Sequence, residues 1–132
     1  MKTRGLLTAI AVIELMTGVG LLLAPSTVVE LLLGQPLSSG APLVVGRVAG
    51  VALIAIGLIC WLENVGDRVG SPTGLLIGLL AYNGAVPVLL VYSDVANRVS
   101  GIALWPAVVL HLAFALWIVA CIRSSVRPRS AP

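Results

Sequence analysis

The chain has 132 residues, of which 59 % are hydrophobic and 10 % charged, with a formal net charge of +3. Its mean hydropathy is +1.12, and a soluble domain carries roughly 25 % charged residues, so water is not its main solvent. The few cations flank apolar runs, where they suit anionic lipid headgroups, and they give no reason to invoke nucleic acid.

Four apolar runs, at about residues 5–23, 42–62, 73–92 and 102–122, each supply the roughly 20 residues that a helix needs to cross a bilayer. Backbone groups in lipid must bond within their own segment, and runs this long and continuously apolar exclude barrel strands. The expected fold is therefore all-α, an integral membrane four-helix bundle in one domain over residues 1–122. The remainder, residues 123–132 or "RSSVRPRSAP", is expected to be a basic, disordered cytoplasmic tail.

Span one opens after Lys2 and Arg4 and holds Glu14 in the middle of "LLTAIAVIELMTGVGLLLAP". Residues 1–26 also have the outline of a signal peptide, but such an apolar region normally carries no charge, and the membrane span is the preferred reading. The first connection, "APSTVVELLLGQPLSSGAP", predicts a short interfacial helix. Thr27 and Glu30 have capping-box spacing, and Gly34 supplies a left-handed stop.

Span two, "VGRVAGVALIAIGLICWL", places Gly46, Gly50 and Gly57 on one narrow stripe, which predicts close approach to another helix. Arg47 stands next to that stripe. Span three carries Asn83 one turn before Pro87, a residue that removes a backbone donor and frees a carbonyl. Loop three begins at Ser93 and Asp94, either of which can cap a short turn before span four. That last span carries His111 between Ala107 and Ala115. Trp61, Tyr92 and Trp105 fall near span ends, where amphipathic rings prefer the interface.

Orientation follows from the cations. Lys2, Arg4, Arg68, Arg123, Arg127 and Arg129 share one side and only Arg98 lies in a loop of the other, so both termini are expected in the cytoplasm of a bacterial inner membrane. Counted from the external ends, Glu14, Asn83 and His111 lie roughly 13 to 15 Å down, at one level, and the long side chain of Arg47 reaches toward it. A charge at that depth costs about 3 kcal/mol and is usually paired or functional. The expected site is thus Glu14 paired with Arg47, with Asn83 and His111 beside them, binding a quinone headgroup or small polar ligand or relaying a proton. A structural lock without ligand is the alternative.

One histidine excludes a bis-histidine haem in the chain, and no metal, phosphate-loop or hydrolase pattern is present. No catalytic residue and no metal ligand is assigned, and the chain is not expected to be an enzyme by itself. Cys60 and Cys121 are expected as small buried apolar residues rather than a redox pair.

Glu14 in the first of four spans resembles the small multidrug resistance exporters, although the rest of that family's pattern is missing. The segments "ELMTGVGLLLAPSTVVELLLG", "GRVAGVALIAIGL" and "WPAVVLHLAFALW" resemble the DoxX-like superfamily of small four-helix bacterial membrane proteins, over residues 5–122. That resemblance implies a four-span bundle and, for some relatives, a subunit of quinone-linked sulfur oxidation; it carries over no catalytic residue. The leading expectation is an accessory or binding subunit of a larger membrane complex or homo-oligomer. Its rivals are a proton-coupled carrier acting as an oligomer, and an enzyme subunit in which His111 and Asn83 bond the quinone oxygens.

Overall fold

The structure is a computed structural model that describes residues 2–66 and 72–126. Five helices follow in order: α1 (Lys2–Leu23), α2 (Pro25–Leu33), α3 (Ala41–Val65), α4 (Thr73–Asn97) and α5 (Leu104–Val126). All but α2 are long and apolar enough to cross a membrane, and together they form an all-helical four-helix membrane bundle. Arg68, Arg127 and Arg129, and the tail from residue 127 onward, lie outside the described residues.

The spans run longer than the apolar pattern suggests. Glu63 and Asn64 still belong to α3, and Ser93, Asp94 and Asn97 to α4. Polar residues do not stop a helix once it leaves the hydrocarbon; a backbone signal does, and here it is Arg98 in the left-handed region at φ 54°. Asp94 therefore ends a helix instead of capping the next turn: its carbonyl accepts the Arg98 N–H at 3.1 Å. Residues 123–126, expected in the disordered tail, continue α5.

Helix α5 starts at Leu104 rather than Ile102 for a specific reason. The N–H groups of Gly101 and Ala103 donate to the Leu32 and Leu31 carbonyls, at 3.0 and 2.9 Å. They thereby satisfy acceptors that the end of α2 would otherwise leave open. The short helix is held at its other end too, where Leu37 N–H donates to Ser26 Oγ at 3.1 Å. It stops at Gly34 with φ 74°, as the sequence predicts. The capping box does not form. Only Ala24 separates α1 from α2, and its N–H still bonds Gly20; Pro25, with φ preset for a first helical turn, begins α2 directly and puts Thr27 inside it.

Antiparallel helices α1 and α3 pack together, as do α4 and α5; the two pairs join through α1 against α5 and through α2, which touches α1, α3 and α5. The glycine stripe explains the first pair. A Cβ on Gly50 would fall 2.7 Å from the Gly18 carbonyl oxygen and 2.8 Å from the Leu22 nitrogen, so α1 and α3 meet backbone to backbone. At the end of the bundle remote from α2, Leu6, Ile10, Leu76, Phe114 and Ile118 form the main core with Cys60 and Cys121, both buried thiols. A smaller cluster of Leu90, Leu104 and Val108 lies near α2. Between the two clusters the bundle is hollow.

Candidate functional site: an apolar chamber with a polar floor

A chamber of about 700 Å³ lies under α2. Helix α1 contributes Ile13, Glu14, Thr17 and Leu21, and α2 covers it with Val28, Val29, Leu32 and Leu33. Across it, Val45, Gly46, Ala49 and Leu53 of α3 face Tyr82, Val86 and Leu90 of α4, with no packed interface between these two helices. Val45 lines the chamber and is still 67 % exposed, so the chamber opens sideways along α3.

The polar groups gather where α1, α4 and α5 meet. Glu14 is 2 % exposed, and its Oε2 accepts the Tyr82 hydroxyl at 3.4 Å, a long bond. Asn83 is fully buried, donates through Nδ2 to the Leu79 carbonyl at 2.9 Å, and sets Oδ1 2.9 Å from His111 Nδ1. The Tyr82 and His111 rings stand edge to face, with centroids 5.5 Å apart at 80°. Glu14, Tyr82 and His111 line the chamber, and Asn83 stands behind His111.

Three of the four sequence-predicted residues therefore come together, with two corrections. Arg47 does not join them. Gly46 occupies the inward stripe of α3, and the next residue is rotated about 100° from it. Arg47 is exposed and shares an outer groove with Val44, Val48, Val51, Ala52 and Ala55. The partner of Glu14 is Tyr82. Asn83, expected to bond a ligand, is spent on Leu79 and His111 and orients the histidine instead.

Tyr82 is the residue that sequence reasoning missed, because the aromatic residues with a recognisable membrane pattern are Trp61, Tyr92 and Trp105 at span ends. Its signal was its depth: a tyrosine next to Asn83 in mid-span carries a hydroxyl that needs a partner in lipid. A second missed contact joins α1 to α3 near the opposite end, where Asn64 Nδ2 donates to Thr8 Oγ1 at 2.8 Å.

The chain matches no protein-family model, no curated protein and no solved structure. Among the described residues no group of three or more His, Cys, Asp or Glu side chains gathers in a way that would hold a metal ion. The floor offers hydrogen bonds, and apart from Thr17 the walls offer apolar contact.

Proposed function

We propose that the protein is a small membrane subunit that binds an amphipathic molecule, a quinone-type ring with an apolar body, under α2. One observation carries this reading: an apolar chamber of about 700 Å³, within the roughly 300 to 1,000 Å³ of ligand pockets, ends on Glu14, Tyr82 and His111. Apolar walls suit a ring and tail, and they do not suit a small molecule that is polar all round. The sideways opening along α3 gives such a ligand a route from the bilayer without crossing water.

The proposal extends to location and kinship. Lys2, Arg4 and Arg123 mark one end of the bundle, while Arg98 lies at the end that carries α2. By the positive-inside tendency the termini are cytoplasmic and α2 lies on the outer face of a bacterial inner membrane. The four-span order with a short helix after span one is what supports membership of the DoxX-like superfamily, and the ligand chamber is what supports a role as a binding subunit.

Calorimetric titration of decylbenzoquinone and decylhydroquinone into the protein in nanodiscs, against empty nanodiscs, tests the binding reading. Saturable heat from either probe that is lost in Val86→Trp supports it. Signals equal to those of empty nanodiscs for both would end it.

A further inference from the structure

The hydrogen bonds behind the chamber floor fix which kind of headgroup it accepts. The Leu79 carbonyl can only accept, so the Asn83 amide must turn its NH₂ toward it, at 2.9 Å, and its Oδ1 toward His111. An amide oxygen also only accepts. His111 Nδ1, 2.9 Å away, must therefore carry the hydrogen, and in the neutral ring this leaves Nε2 bare. His111 lines the chamber, and among the described residues no hydrogen bond occupies Nε2. At the neighbouring position the Tyr82 hydroxyl lies 3.4 Å from Glu14 Oε2, a long contact.

We infer that His111 presents an acceptor, its bare Nε2, to the chamber, and that the site is thereby selective for a ligand whose head carries a hydroxyl donor, such as a hydroquinone or other phenol, over the carbonyl-bearing oxidised ring of the same size. This rests on the binding reading above and narrows it. A carbonyl oxygen set against a bare ring nitrogen forms no bond and loses its own hydration, whereas a hydroxyl donates to Nε2 and satisfies both. Asn83 is a positioning residue in this scheme: buried and out of ligand reach, it decides which ring nitrogen faces the chamber.

Two measurements on the intact protein in nanodiscs test the inference. The chain has one histidine, so ring-nitrogen NMR of histidine-labelled protein reads the tautomer without ambiguity. Hydrogen on Nδ1 with bare Nε2 is expected; hydrogen on Nε2, alone or together with Nδ1, overturns the inference. Titrations with decylhydroquinone under reducing conditions and with decylbenzoquinone under oxidising ones supply the second. The hydroquinone is expected to bind about tenfold tighter or better, the step that 1.4 kcal/mol sets. Equal affinities, or a tighter quinone, overturn the selectivity and leave the binding reading intact. If neither probe binds saturably, both fall together.

Discussion

Tyr82 on α4 donates its hydroxyl to Glu14 on α1 across the chamber floor, at 3.4 Å. The helices packed most closely are α1 with α3 and α4 with α5, so this bond ties one pair to the other where the bundle is hollow. Tyr82→Phe removes the hydroxyl and little else. Polar bonds between membrane helices average about 0.6 kcal/mol, and the long distance puts this one at the lower part of that scale. A loss of roughly 0.5 kcal/mol is expected in reversible unfolding in detergent, and a double-mutant cycle with Glu14→Leu, which removes the acceptor, should show coupling. Strict additivity of the two changes would mean that the bond contributes nothing.

Gly50 gives the packing prediction. Its missing side chain lets the Gly18 carbonyl approach to the place a Cβ would occupy, and Leu22 closes the other side. Gly50→Leu should therefore force α1 and α3 apart at a cost of about 1 to 3 kcal/mol or more. Thermal unfolding in mild detergent checks this, with Gly78→Leu, at a site with nothing within 4 Å, as the tolerated control. Equal behaviour of the two variants would contradict the close approach.

Arg47 supplies a prediction opposite to the one its sequence position suggests. Exposed on the outer face of α3, it is not the counter-charge of Glu14. Arg47→Gln should change stability by no more than about 0.5 kcal/mol, the usual range for surface changes, and should add to Glu14→Gln without coupling. A coupling energy of several kcal/mol, as for a broken buried pair, would restore the ion pair.

How far the sequence could be read is clear at these residues. Apolar runs of bilayer length reveal four spans because the solvent imposes that length, and Gly46, Gly50 and Gly57 reveal a packing face because periodicity does not depend on the partner. Gly34 likewise marks the end of α2 by its own backbone freedom. Depth along a helix is also legible, which is why Asn83 and His111 could be placed together before their 2.9 Å contact was seen. The rotation of a single residue between two faces is not legible in the same way. Arg47 adjoins the inward stripe in sequence and still points outward, since one step along a helix is about 100° of turn. Nor does any local pattern show that Gly101 and Ala103 would bond α2, a contact between residues about 70 positions apart that sets where α5 begins.

The topology prediction concerns the end of the bundle that carries α2. A cysteine at Gln35, an exposed position just after α2, should react with a membrane-impermeant maleimide in intact cells, in a background where Cys60 and Cys121 are replaced. A cysteine at Thr3 should react only after the cells are opened. The reverse pattern would invert the protein in the membrane.

The central claim is that the chamber holds an amphipathic ligand. Native mass spectrometry of the protein released from mild detergent, compared with Val86→Trp, whose indole fills the space between α3 and α4, tests it most directly. The wild-type protein is expected to retain an apolar adduct of one discrete mass that the variant loses while keeping its thermal stability. A wild-type spectrum without adduct, or the same adduct on the blocked variant, would contradict the claim.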